Sequence, residues 1–136
     1  GRHAQHMIFV DTNVFMYAVG REHPLRKPAQ EFFERALRQR SRPHLCTSAE
    51  VLQELLHAYL PVQRVQTLDA AFKLVDGIID DVWAVDPDDV RLARVLADTH
   101  PGLGARDVLH LACCTRRAVK QIKTYDRALG AALPGG

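Results

Sequence analysis

Apolar residues run along this chain in two rhythms. Short apolar runs at Met7 to Val10 and Val82 to Val85, with the short segments His44 to Thr47 and "QIKTYD", ending at Asp126, predict strands. Longer stretches repeat apolar residues every three or four positions and predict helices. Pro28 to Arg40 does so through Phe32, Phe33, Ala36 and Leu37, and Pro61 to Asp80 through Val65, Leu68, Ala71, Phe72 and Val75. "VLQELLHAYL" and "ARDVLHLACCTRRAV" read the same way, and a short last helix is expected from Arg127. Thr47-Ser48-Ala49-Glu50 has the form of a capping box, with Thr47 as cap and Glu50 reaching back. Asp86 is expected to cap a helix that has Pro87 in its first turn and runs to about Thr99. Strands alternating with helices imply βαβ units, hence an α/β fold with a parallel sheet covered on both faces. The pattern has one oddity. The first strand stops at Asp11-Thr12-Asn13, a carboxylate, a hydroxyl and an amide in a row, before apolar residues resume.

At 136 residues the chain has the size of one domain with one core. Residues 1–6 lack any strand or helix period and precede a Met, so they are read as an expression remnant, with 7–136 as a single domain. No apolar run approaches the roughly 20 residues of a membrane span, and a cytoplasmic protein is expected. Cys46, Cys113 and Cys114 form no C-x-x-C pair and are expected to pack as small apolar residues. The formal net charge of +2 does not by itself demand nucleic acid. Clusters at Arg35, Arg38, Arg40 and Arg42 and at Arg116, Arg117, Lys120 and Lys123 can neutralise phosphates, although a solvated helix face is the simpler reading.

The acids carry more information. In open parallel α/β sheets the functional crevice lies outside the carboxyl ends of the strands. Asp11 and Asp126 each end a predicted strand, while Glu54 and Asp107 lie in the early turns of helices that can begin at the same rim. Each acid also has a structural reading. Asp11 and Asp126 can cap turns, Asp107 can favour its helix dipole, and Glu54 can be solvated. As a set they are harder to explain that way, because Glu54 sits among Leu52, Leu55 and Leu56, and Asp107 precedes Val108 and Leu109. Two unit charges about 4 Å apart repel by about 4 kcal/mol at an effective dielectric of 20. A divalent cation relieves that repulsion, and an all-oxygen donor set suits Mg²⁺ or Mn²⁺ better than zinc. Such ions activate water and stabilise the leaving oxygen in phosphodiester hydrolysis, which is therefore the expected chemistry.

"FVDTNVF", "SAEVLQELL", "GLGARDVLHLA" and "IKTYDRAL" resemble, in order and spacing, the motifs of PIN domains, and specifically of the VapC toxins of bacterial toxin-antitoxin pairs. The resemblance spans Met7 to about Leu133. It implies a three-layer sandwich with a central parallel sheet of four to five strands and a Mg²⁺-dependent endoribonuclease acting on single-stranded or loop regions of tRNA or rRNA. It also implies a homodimer and a VapB-type antitoxin. It carries the catalytic and metal-binding acids onto Asp11, Glu54, Asp107 and Asp126, and supporting roles onto Asn13 and Thr124. Many similar proteins have a further acid shortly after the last Asp. Here Arg127, Ala128 and Leu129 follow, so fewer acids hold metal on that side.

His110, one turn beyond Asp107, can face the crevice and touch phosphate, although packing or hydrogen-bonding at the helix surface is the simpler expectation, and His57 has the same standing relative to Glu54. Trp83 and Tyr59 can stack on bases, although a lone Trp in a strand is more often core. A phosphoacceptor receiver domain needs adjacent acids at its first strand, and a haloacid-dehalogenase-type phosphatase needs an acid where Asn13 stands. A catalytically silent PIN-fold binding module is the remaining alternative.

Overall fold

The computed structural model describes residues 6–133. The expected remnant therefore lies outside the described residues apart from His6, as do the last three positions. Strands β1 (Met7–Val10), β2 (His44–Ser48), β3 (Asp81–Trp83) and β4 (Gln121–Lys123) pair in parallel in the order β3-β2-β1-β4. Seven helices accompany them among the described residues: α1 (Thr12–Val19), α2 (Arg26–Arg38), α3 (Ala49–Tyr59), α4 (Val65–Ile78), α5 (Pro87–Ala97), α6 (Ala105–Arg116) and α7 (Arg127–Ala132). None is long and apolar enough to cross a membrane.

The central place of β1 explains its composition. A strand with partners on both edges and helices on both faces is apolar throughout, and Phe9 and Val10 are fully buried. The chain moves outward from β1 to β2 to β3, then returns past them to place β4 on the other side of β1. Right-handed crossovers then put α1 to α4 on one face and α5 and α6 on the other. In agreement, α1 packs on α2, α3 and α4, while α5 packs on α6. The reversal also opens a crevice where β1 and β4 end, the switch point at which such sheets carry their ligands.

Several boundaries move for local reasons. The apolar residues after Asn13 form α1, a helix the pattern did not delimit, which buries Val14, Phe15 and Ala18. Thr47 caps nothing, contrary to expectation. Its hydroxyl donates to the Val10 carbonyl at 2.8 Å and ties β2 to β1, while Ser48 stands at the start of α3 without a side-chain cap. The helix expected from Pro61 begins at Val65, because a turn with Gln63 in the left-handed region (φ 58°) intervenes. The strand expected to reach Asp126 ends at Lys123, where side chains take over as partners for the next amides. The helix expected through Val119 ends at Arg116, with Ala118 left-handed at φ 57°.

The cysteines pack as expected. All three are free and buried, and burial pushes the Cys46 thiol up to about 12 and that of Cys113 to about 11, which keeps them inert. The basic cluster at the end of α6 is largely structural. Asp86 caps α5 in a capping box closed by Asp89, which is wholly buried. Arg117 reaches Asp89 at 2.8 and 3.1 Å and Arg116 reaches it at 2.9 Å, so α5 is latched to the end of α6. Arg117 also lies 4.9 Å over the Trp83 ring, holding it against the edge of the sheet.

The hydrogen bonds from Arg117 hold the Asp89 carboxyl well below the usual carboxylate range despite its burial. Removing one partner of a buried pair costs about 3–5 kcal/mol. Here the Arg side chains are 22% and 34% exposed, and solvent screening lowers that figure. Asp89→Ala is expected to lose about 2 kcal/mol in urea denaturation at neutral pH. A depressed carboxylate contributes its stability above its unfolded value, so the deficit should fade as pH falls below about 4.

Candidate active site

Asp11, the residue after β1, is buried at the crevice. Its Oδ1 accepts the amide of Thr12 at 2.7 Å, starting α1, and its Oδ2 accepts the Thr124 hydroxyl at 2.7 Å. Thr124 follows β4, and its hydroxyl oxygen also accepts the Asp126 amide at 3.0 Å and the Asn13 side-chain amide at 3.2 Å. Asn13 in turn accepts the Tyr125 amide at 3.2 Å. This frame explains the polar interruption after the first strand. Where β1 and β4 stop pairing, Asp11, Asn13 and Thr124 replace the ladder and fix the two strand ends together. Asp126 caps α7 by accepting the Leu129 amide at 3.1 Å, so its capping reading holds, and it also lines the crevice.

Glu54 arrives from α3, on the other side of Asp11. Its Oε2 accepts the hydroxyl of Thr12, and its Oε1 lies 2.9 Å from His110 Nε2. His110 lies 3.6 Å from Asp11 Oδ1 as well and is fully buried. Of the two places open to it, the helix surface does not hold: α6 turns the ring inward, one turn from Asp107. A polar ring among Val108, Leu111 and Cys113 was the available signal. Thr12 is the first residue of α1 and grips Glu54.

Asp11, Glu54, Asp107 and Asp126 line one open cleft of about 580 Å³, together with Asn13, His57 and Arg106. Tyr59 and Trp83 do not line it. Burial, then the charges of Asp11 and Asp126, push Asp107 up to about 6. Burial also raises Asp11, against the opposing influence of His110 and Thr124. For Glu54 burial acts upward, but the hydrogen bond and charge of His110 outweigh it and the carboxyl is lowered. For His110 burial acts downward, and Glu54, then Asp11 and Asp107, raise it overall. The donor set fits a cation. The acids repel one another, and Asp107 is raised by burial and by the charges of Asp11 and Asp126, an electrostatic load that a cation offsets. Ligand atoms of Asp11, Glu54 and His110 also lie within 4.8 Å of one another, a spacing that can hold a metal ion.

Residues 8–132 match the family model of the PIN domain. The chain belongs to the PIN-domain family. This PIN domain is 60% identical over 126 residues to Ribonuclease VapC23 of Mycobacterium tuberculosis (strain ATCC 25618 / H37Rv), covering 93% of this chain and 98% of the relative. It is 38% identical over 121 residues to Ribonuclease VapC13 of the same strain, covering 89% and 91%. It is thus a VapC-type PIN ribonuclease, and the receiver and phosphatase readings fall away. Two solved structures share the fold. One is VapC20 of Mycobacterium tuberculosis, described as a Sarcin-Ricin loop cleaving toxin, with a TM-score of 0.70 at 19% identity over 92% of this chain and 94% of that one. The other is VapBC2 of Rickettsia felis bound to a DNA fragment from their promoter, with a TM-score of 0.65 at 15% identity over 94% and 93%.

The raised Asp107 has a measurable consequence in metal-free VapC protein. An acid whose folded value is raised leaves the fold most stable below the unfolded value and costs stability as pH rises through about 6. Asp107→Asn removes that cost. In chelator, the variant's stability relative to wild type in urea denaturation is expected to increase between about pH 4 and pH 7. A gap that stays constant with pH would show that Asp107 titrates normally.

Proposed function

We propose that this VapC protein is a Mg²⁺-dependent endoribonuclease toxin that cleaves single-stranded or loop RNA, with tRNA or rRNA as the target class. The observation that carries the reading is the convergence of Asp11, Glu54, Asp107 and Asp126, from separate elements, on one cleft at the switch point of the sheet. Asp11, Asp107 and Asp126 would hold the ion, with Glu54 either joining them or orienting water; Mn²⁺ is expected to substitute. The ion, when bound, supplies charge neutralisation at the phosphate and a more acidic bound water.

The chain's own groups do the rest. Asn13 and Thr124 hold Asp11 in place, and Thr124 also fixes the backbone at Asp126. Arg106, exposed on the cleft rim, meets the RNA backbone. Water attacks phosphorus in line, a P–O bond forms, and the bond to the 3′ oxygen breaks. That oxygen leaves with a proton as a 3′ hydroxyl, and the other product carries a 5′ phosphate.

A loop substrate is in keeping with an open cleft, because bases in loops are splayed and reachable whereas A-form helices are not. The solved VapC20 and VapBC2 relatives support a loop in ribosomal RNA and a VapB partner as the first candidates to test. The protein is expected to form a homodimer and to be neutralised by an antitoxin segment that enters the acidic cleft.

Asp107→Asn keeps the shape and removes one charge. Cleavage with Mg²⁺ is expected to slow by roughly a thousandfold. The check is brief expression without an antitoxin, followed by mapping of new 5′ ends across cellular RNA, with Asp107→Asn alongside and with purified protein assayed with and without chelator. Identical maps for the two chains would sink the nuclease reading in favour of a silent binding module.

A further inference from the structure

Three observations about His110 bear on where its proton lies. The ring is completely buried, its Nε2 points at Glu54 and Asp11 at 2.9 and 3.6 Å, and its buried Nδ1 has no hydrogen-bond partner among the described residues. A ring protonated on Nδ1 alone would bury an unmatched N–H and turn a lone pair toward two carboxylates. A proton on Nε2 avoids both penalties. The same reasoning argues against His110 as a metal ligand, although the spacing of its Nε2 from Asp11 and Glu54 would allow it. A metal on Nε2 would leave the ring's proton on Nδ1, where nothing accepts it, whereas ligating histidines donate their other N–H to a partner. The ring is held by packing instead: Phe9 lies 5.3 Å away, and Phe9 stacks on Trp83 at 5.6 Å.

Glu54 is therefore gripped at both ends, Oε1 by His110 and Oε2 by Thr12. Each carboxylate oxygen keeps further acceptor capacity, which suits a water better than a cation already facing a donor N–H. We infer that His110 is a positioning residue that, with Thr12, aims Glu54 at the attacking water and keeps it out of the metal's direct ligand set, leaving Asp11, Asp107 and Asp126 to coordinate. The inference rests on the nuclease reading above and decides the role which that reading left open for Glu54.

Three readouts test it. In ¹⁵N NMR of the wild-type protein in chelator, His110 is expected to carry a proton on Nε2. A bare Nε2 would overturn the inference, and this measurement needs no variant to fold. In Mn²⁺ titrations by calorimetry, Glu54→Gln is expected to weaken binding only through its lost charge, and Asp107→Asn, which loses a ligand as well as a charge, to weaken it about tenfold further. Equal losses in the two would make Glu54 a ligand and overturn the inference.

In turnover of an RNA oligonucleotide, His110→Met is expected to lower kcat about a hundredfold with KM little changed. His110→Gln, whose side-chain amide can donate from nearly the same place, should recover most of that loss. In a Glu54→Gln background, His110→Met should add nothing, since the two act as one unit. A folded His110→Met with normal kcat, or with a change in KM alone, overturns the inference. If His110→Met does not fold, the Gln variant in both backgrounds and the NMR measurement decide. Failure of the nuclease reading looks different: no cleavage by wild type and no difference at Asp107→Asn, with the proton position and Mn²⁺ affinities still judging His110.

Discussion

The Thr124 hydroxyl is the joint on which the site is built. It donates to Asp11 and accepts from the Asp126 amide and the Asn13 side chain, so a single oxygen ties the ends of two neighbouring parallel strands. Parallel strands diverge past their last ladder bond, and nothing in the backbone alone would hold two negative side chains close there. The local hydrogen bonds take over that task. Their geometry permits charges to be gathered where Coulomb repulsion would otherwise spread them, and Asp107, raised to about 6 by burial first and by the charges of Asp11 and Asp126 next, registers part of that repulsion.

A second link crosses the sheet's rim. Glu54 belongs to the helix group on one face and His110 to the group on the other, and their contact at 2.9 Å joins the two groups beside Asp11. The His110 ring rests on Phe9 of the central strand, Phe9 on Trp83, and Trp83 lies under Arg117, which is bound to buried Asp89. The latch between α5 and α6 is thus continuous with the packing that holds the His110 ring. Two of the arginines that a count of basic residues would offer to RNA are committed to this structural task, and Arg42 is similarly paired with Asp80 at 2.9 Å.

Most of the fold could be read from the chain because the signals are local. The apolar run of β1 marks a strand buried at the centre of the sheet, periodic runs mark helices, and Asp86-Pro87 marks a helix start. Some boundaries shift because of a left-handed turn, at Gln63 and Ala118, and others because a side chain has a partner remote in sequence. Thr47 had the right neighbours for a cap but bonds Val10, β4 stops early because Asn13 and Thr124 take its amides, and α1 was masked by the polar triplet that begins it.

The candidate acids divide along the same line. Asp11 could be placed from sequence, since the end of a parallel strand determines which rim its next residue occupies, and Asp126 shares that rim although β4 stops before it, at Lys123. Glu54 and Asp107 could be placed on helices that start at that rim, and family resemblance supplied the order of all four. What the sequence by itself determined was therefore the inventory of acids and the edge of the sheet they share. Only the tertiary structure decided which groups face one another: that Glu54 is held by Thr12 and His110, and that His110 is buried with one nitrogen on the acids and the other unmatched. The physical reason is that burial and hydrogen-bond partnership depend on where distant segments meet, and the Asp11-Thr12-Asn13 interruption acquires its meaning only when Thr124 and Glu54 are brought to it.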